Sequence, residues 1–387
     1  MTRQFSDDNA IPKGWRTRRP GSLIYAFLFL LRIIPVTMFY SIYYLLASFR
    51  QLKTWTFRQA LSTRLIKIFC DLVIATGSTT SLSLDADNAG DQWVVMIPAP
   101  EASYRGAFAS ETAKPEKIGA TWYPKPPPED TELNAKGLVV LSFHSGSFLW
   151  MTGRPDDSSA TAKRMNAKLG PGTRSLWVQY RLAGGKNPTV YPGPMQDAIT
   201  AYYYLVKECS ICPTRIIITG DSSGGTIALA LLRYLASEDI RETEFADLPP
   251  PKACLIFSPS VDYSFEGDRE AFHSHRNQIT DYCAGAMAGW GARAFAPPNV
   301  VALDDPLLSP ALHPFATPVP IFVHAGGAEV LCDVVKNFVK AMSAIDGNKI
   351  KHMESPGLPH DIYAIGSLLG WTKEQEDIMD TAVKFAL

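Results

Sequence analysis

A chain of 387 residues, 46% hydrophobic and 19% charged, is long enough to bury a large core, as one big α/β domain or two smaller ones. Its formal net charge of -1 and pI near 6.7 supply no global field that would gather nucleic acid or an acidic polymer, so any partner is recognised locally. The six cysteines (Cys70, Cys209, Cys212, Cys254, Cys283, Cys332) lack the paired spacing of a disulfide scaffold, and Cys209-x-x-Cys212 lacks the second ligand pair that a zinc site needs.

Residues 1–20 read as a basic, polar N-terminus, and residues 21–49 as a hydrophobic membrane-anchor segment. From 23 to 49 almost every residue is apolar or aromatic, a helix longer than the hydrocarbon thickness of a bilayer. Arg32 interrupts it at a cost of roughly 3 kcal/mol in lipid. The segment therefore either begins to span after Arg32 or lies in the interface with a bend at Pro35. Arg3, Lys13, Arg16, Arg18 and Arg19 before it balance Arg50, Lys53, Arg58, Arg64 and Lys67 after it, so the charge rule leaves topology undecided. In the helical cap or N-terminal region expected over 50–90, Phe57, Leu61, Leu65, Phe69 and Leu72 recur at helical spacing and predict an amphipathic helix packed over the core.

The remaining residues, 91–387, read as the catalytic domain. A β-like stretch at 93–97 leads to the proline-rich Tyr123-Pro-Lys-Pro-Pro-Pro128, a surface loop. Strands are then predicted at 137–143, 176–180, 215–219, 253–257, 320–324 and 349–353, with helices at 195–207, 226–236 and 330–344. This alternation predicts an α/β fold with a mostly parallel central sheet covered by helices on both faces, plus a helical cap. The interval 260–317 breaks the alternation. It is rich in aromatics such as Tyr263, Phe272, Tyr282, Trp290 and Phe295, and it reads as an inserted lid.

The apolar, β-branched run ending at Thr219 passes through Gly220-Asp-Ser-Ser-Gly-Gly225 into a helical run. A serine third in G-x-S-x-G is held on a sharp strand-to-helix turn, where glycines let the backbone pass close and its hydroxyl stays exposed. Ser222 fits that place, supported by Gly220 and Gly224, and the N–H of Ser223 should face a developing oxyanion.

Serine alone is a poor nucleophile, so a histidine must take its proton and an acid must orient the histidine. Of the histidines after Ser222, His273, His275 and His313 fall in the apparent insertion, and His324 and His352 fall within or at the end of strands. His360, in Gly357-Leu-Pro-His-Asp361, follows the last predicted strand, where catalytic residues of such sheets collect. Glu329 and Asp333 follow the strand at 320–324. Glu329 lies nearer the strand end and is favoured, whereas Asp333 suits a helix start. The strand ending in His144-Ser-Gly-Ser147 supplies a small-residue turn whose N–H groups at Gly146 and Ser147 would receive the oxyanion.

Together these residues resemble the hormone-sensitive-lipase-like branch of α/β-hydrolases, which includes arylacetamide deacetylases and fungal steryl acetyl hydrolases. The matching features are His144-Ser145-Gly146-Ser147, Tyr180-Arg-Leu-Ala183, Asp197, Gly220 to Gly225, Asp305-Pro306 with Ser309-Pro310, Gly326 to Asp333 and Pro359-His-Asp361, over about the last three quarters of the chain. The resemblance implies the α/β-hydrolase fold, a triad of Ser222, Glu329 and His360, an oxyanion hole from Gly146, Ser147 and Ser223, no cofactor, and an endoplasmic-reticulum membrane address. Ser145 and Ser147 replace glycines of the family's turn, Glu329 its usual aspartate, and Gly184-Gly185 its Pro-Glu.

The expected function is a serine ester hydrolase that removes a short acyl group from a small lipophilic sterol, aromatic or secondary-metabolite ester. Membrane lipid would be its partner through residues 23–49, and nucleic acid would not. The alternative is a biosynthetic protein of this fold catalysing a condensation or cyclisation without hydrolysis. A non-catalytic binding protein fits less well, because both serine and histidine are retained.

Overall fold

The computed structural model describes residues 12–127, 137–237, 248–283 and 285–387. Most of the expected basic N-terminus and Pro128 of the proline-rich loop lie outside the described residues. Eight strands form one sheet: β1 (Trp93–Met96), β2 (Ile118–Tyr123), β3 (Val139–Phe143), β4 (Arg174–Gln179), β5 (Ile216–Asp221), β6 (Ala253–Phe257), β7 (Ile321–Gly326) and β8 (Ile350–Ser355). Their order is β1-β2-β4-β3-β5-β6-β7-β8. β2 runs antiparallel to both β1 and β4, and every other pairing is parallel. All residues of β3, β5, β6 and β7 are buried. A strand covered on both faces has no reason to alternate, which is why these segments read as continuous apolar runs.

Helices α1 (Gly21–Tyr43) and α2 (Phe57–Thr76) precede the sheet. Among the described residues the further α-helices are α3 (Pro155–Leu169), α4 (Gly193–Tyr203), α5 (Ser223–Ala236), α6 (Tyr263–Glu266), α7 (Arg269–Ser274), α8 (Gly285–Phe295), α9 (Cys332–Ser343), α10 (Ile362–Leu369) and α11 (Thr372–Ala386). One face of the sheet packs on Met195 and Ile199 of α4, Ile227 and Leu231 of α5, and Val335 and Phe338 of α9. The other packs on Met165 of α3, Ile362 of α10, Ile378 and Met379 of α11, and Ala60 of α2.

Several elements depart from the sequence reading. β2 falls where the sequence pattern assigns no element, just before the proline-rich loop, because Gly119 interrupts its apolar run. A Cβ at Gly119 would sit 2.0 Å from the Trp93 ring, so packing against β1 demands the glycine. Helices α3, α10 and α11 are additional to those the periodicity predicts. The interval 260–317 contains three short helices, α6 to α8, and its Gly291 packs on Ser147, where a Cβ would lie 2.4 Å from the Ser147 carbonyl oxygen.

The 23-residue α1 is mostly apolar, with large side chains such as Phe27, Ile34 and Ile42 exposed, and is long enough by length and composition to cross a membrane. The helix runs antiparallel beside α2. Arg64 lies 4.9 Å from the Tyr40 ring and donates to the Tyr44 hydroxyl, the charge of Arg32 acts on Asp71, and Gly77 adjoins Thr17. α2 in turn is tied to the sheet's helices, with Gln59 and Ser62 donating to the carbonyls of Gly370 and Leu369.

Candidate active site

Ser222 occupies the turn between β5 and α5 at φ 51°, ψ -120°, a region that side chains other than glycine rarely enter. The surroundings enforce this backbone. Ser222 N–H donates to the Phe257 carbonyl, and its own carbonyl accepts from Gly225 and Ser260. A Cβ at Gly220 would lie 2.3 Å from the Gly224 carbonyl oxygen, and one at Gly224 would lie 2.1 Å from that of Phe143. The turn thus fits only with glycine at both positions, and Ser222 is 7% exposed.

His360 lies in the loop between β8 and α10, and Glu329 in the turn after β7, both buried. Glu329 Oε2 stands 3.2 Å from His360 Nδ1. Burial disfavours charge on both partners. For Glu329 it prevails and raises the carboxyl, whereas for His360 the hydrogen bond and field of Glu329 outweigh it and raise the imidazole. Among the described residues no hydrogen bond joins the Ser222 hydroxyl to His360. In free enzymes of this kind that bond is often long and tightens with substrate. Asp333, the other acid weighed from sequence, pairs with Arg276 and His275, and its carboxyl is pushed down to about 2, first by the Arg276 hydrogen bond.

The turn after β3 is also glycine-shaped. Gly146 has φ 113°, and a Cβ there would lie 2.3 Å from the Trp150 carbonyl oxygen. Ser147 and Phe148 follow at φ 51° and 59°. The serine at 147 therefore keeps the left-handed backbone its position demands, at a cost of roughly 1–2 kcal/mol. The N–H groups of Gly146 and Ser147 donate to no backbone acceptor among the described residues. Ser223 opens α5, where a first-turn N–H has no intrahelical acceptor. His144 stacks on Tyr180 at 4.1 Å, and burial pushes its imidazole down to about 4, so it is neutral. Ser145 donates to the Met151 sulfur. The other matched motifs hold the frame: Arg181 bridges to buried Asp197 at 2.8 Å, and the Tyr191 hydroxyl donates to Asp305.

Three acids near these groups escape the sequence reading. Asp221 and Asp361 flank the serine and the histidine and share a hydrogen bond. Burial raises both, and their like charges reinforce the rise for Asp361. Their positions beside Ser222 and His360 in the two motifs are the signal the sequence holds for them. Asp281, fully buried, belongs to no motif. Among the described residues no group of three His, Cys, Asp or Glu could hold a metal, and the thiol of Cys212 bonds to Thr214 instead.

A family model described as the α/β-hydrolase fold matches residues 140–364. An acetyl-hydrolase of Streptomyces hygroscopicus is 27% identical over 201 residues, 51% of this chain and 59% of that protein. A carboxylesterase/phospholipase of Mycobacterium tuberculosis is 30% identical over 201 residues, 50% of this chain and 48% of that protein. An ethyl acetate hydrolase of Pseudomonas putida is 24% identical over 63% of this chain and 71% of its own length. The chain spans 59% and 48% of the first two relatives. Among solved structures, an esterase from the bacterial hormone-sensitive lipase family superposes with a TM-score of 0.57 at 20% identity, over 86% of this chain and 100% of that one. A hormone-sensitive lipase from a metagenome library gives 0.52 at 17% identity, over 70% and 81%. At such identities these likenesses show the fold.

Proposed function

The chain belongs to the α/β-hydrolase family, among hydrolases of the esterase and lipase type, and from that premise we propose that it is a serine ester hydrolase removing a short acyl group from a lipophilic alcohol. The reading is carried by one observation: the buried hydrogen bond between Glu329 and His360, in the loops that follow β7 and β8 on the sheet edge where the strained Ser222 turn follows β5.

In this mechanism the Ser222 hydroxyl attacks the ester carbonyl while His360 takes its proton, with Nδ1 held toward Glu329 so that the other ring nitrogen is free to act. The carbonyl oxygen becomes an oxyanion received by the N–H groups of Gly146, Ser147 and Ser223, and the N-terminus of α5 adds its partial positive charge. Collapse breaks the ester C–O bond, His360 returns the proton to the leaving alcohol, and an acyl-serine remains. Water, deprotonated by His360, then releases the acid.

Names of the relatives, an acetyl-hydrolase and an ethyl acetate hydrolase, support a short acyl group. The apolar, exposed α1 supports a membrane address, for which the endoplasmic reticulum is the compartment we propose, and a substrate drawn from the lipid phase. Its pairing along α2 favours a helix lying in the interface over one that spans. The aromatic-rich interval 260–317 serves as the cap over the acyl site.

The test is labelling by a fluorophosphonate probe, comparing wild type with Ser222→Ala and His360→Ala, followed by a panel of acetyl and longer esters. Labelling confined to wild type, with turnover of acetyl esters, is expected. Folded wild type that stays unlabelled overturns the reading. Labelling without turnover of any ester moves the condensing alternative ahead.

A further inference from the structure

The acid and base loops are held by a segment that the mechanism above does not use. Residues 277–283 wrap the turn that carries Glu329. The Asn277 side-chain amide donates to the carbonyls of Gly327 and Glu329, at 3.1 and 2.8 Å, and the Thr280 hydroxyl donates to that of Ala328 at 2.8 Å. Asp281 completes the wrap from a fully buried position. Its Oδ2 accepts the Val330 N–H at 2.7 Å, immediately after Glu329, and its Oδ1 accepts the His360 N–H at 3.4 Å and that of Cys283 at 3.1 Å. A single carboxylate thus joins the backbone of the acid turn to that of the base loop.

A buried carboxylate is costly unless hydrogen bonds satisfy it, and charge-assisted bonds from backbone N–H groups are the strong kind. The cross-link is anchored from outside the family-matched residues. Lys67 of α2 donates from Nζ to the carbonyls of Gln278 and Asp281, at 2.8 and 2.7 Å. The clasp therefore runs from the N-terminal helix through 278–281 to both loops.

We infer that Asp281 is a positioning residue, fixing the Glu329 turn and the His360 loop in register with each other, and that Lys67 secures it from α2. The inference rests on the proposed roles of Glu329 and His360. It assigns the early part of the 260–317 interval to holding the acid and base in place, and leaves α8, which packs on Ser147, as the part that faces the acyl site.

Asp281→Asn is nearly isosteric but removes the charge and presents an amide toward N–H donors. The ionisable groups around His360 are Glu329, Asp281, Asp361, Asp221, Glu266 and Tyr282. Of these Glu329, Asp281 and Asp361 favour the imidazolium, so replacing the Asp281 carboxylate by an amide moves the acid limb of the pH profile to lower pH. The experiment measures the rate of fluorophosphonate labelling against pH for wild type, Asp281→Asn and Lys67→Met, beside their melting temperatures. A properly placed dyad requires Asp281→Asn to label about ten- to hundredfold more slowly at its own optimum, with that shifted limb. A folded Asp281→Asn that labels at the wild-type rate with an unshifted limb overturns the inference. If Asp281→Asn does not accumulate as folded protein, Lys67→Met carries the test: several-fold slower labelling supports the clasp, and wild-type labelling overturns it. Failure of wild type itself to label is a failure of the hydrolase reading, and so is distinct from either.

Discussion

Glu329 Oε2 and His360 Nδ1 face each other at 3.2 Å, with the carboxylate wholly excluded from solvent and the imidazole 4% exposed. In that setting the charge of Glu329 sets both the orientation and the basicity of the ring. Glu329→Gln keeps the size of the side chain but removes the charge, and an amide can present N–H where the imidazole also needs an acceptor. Turnover should fall on the order of a thousandfold with KM nearly unchanged, as for a residue that acts through the base. A kcat within threefold of wild type would assign the orienting role elsewhere.

The pH dependence follows from the same pair. His360 starts from an ordinary value of 6.5 and is raised in the fold, because the hydrogen bond and field of Glu329 exceed the opposing effect of burial. As the proposed base, His360 is competent only when neutral, so activity should climb with pH along a limb above the ordinary imidazole range. Stability moves the opposite way. A group whose folded pKa is raised stabilises the fold fully below its unfolded value near 6.5, and that contribution is lost as pH rises through the folded value. Melting temperature against pH for wild type and His360→Ala should therefore converge at alkaline pH. Parallel curves would show that His360 does not carry this dependence.

Much of this arrangement is legible in the sequence alone. Ser222 and Glu329 stand out because each follows a strand that announces itself as an apolar run, at 216–221 and 321–326, and His360 because it lies in the loop after the last strand. β2 is not legible because Gly119, required where the Trp93 ring crosses it, breaks the pattern that marks a strand. α11 escapes notice although its buried residues Ile378, Met379, Ala382, Val383 and Ala386 fall at helical spacing, because acidic and basic residues between them dilute its apolar character. Asp281 leaves no signal at all. Its partners Val330 and His360 are backbone N–H groups, and such a contact leaves no trace in the identity of either residue.

Gly146 and Ser147 separate two reasons for a glycine-like turn. At Gly146 both φ of 113° and a carbonyl 2.3 Å from the place of a Cβ forbid a side chain, so Gly146→Ala must displace the turn. If Gly146 N–H receives the oxyanion, kcat should fall on the order of a hundredfold or more while KM changes little. At Ser147 a side chain is already accommodated at φ 51°. Ser147→Gly relieves roughly 1 kcal/mol of left-handed strain and returns a similar amount of unfolded-chain entropy. Its melting temperature should stay within a few degrees of wild type with activity retained. A large loss in Ser147→Gly would instead give the hydroxyl itself a role.

The last relationship to test is that of α1 to the membrane. A spanning helix of 23 residues would put its two ends on opposite sides of a bilayer, whereas the antiparallel contacts with α2, from Tyr40 on Arg64 to Thr17 beside Gly77, keep both ends against one body. In an interfacial placement Arg16, Arg18 and Arg19 before the helix and Lys53 after it would face the same layer of anionic headgroups. Single cysteines placed at Ser22→Cys and Ser48→Cys, in a background where exposed Cys212 is changed to alanine, should both react with a membrane-impermeant maleimide from the side that also exposes the catalytic domain. Labelling of only one of them in sealed vesicles, with the other released by detergent, would mean that α1 leaves α2 and spans. Equal labelling in both states, with binding to vesicles lost on deletion of residues 1–45, is the result expected of a helix that lies in the interface and brings the active site to the lipid surface.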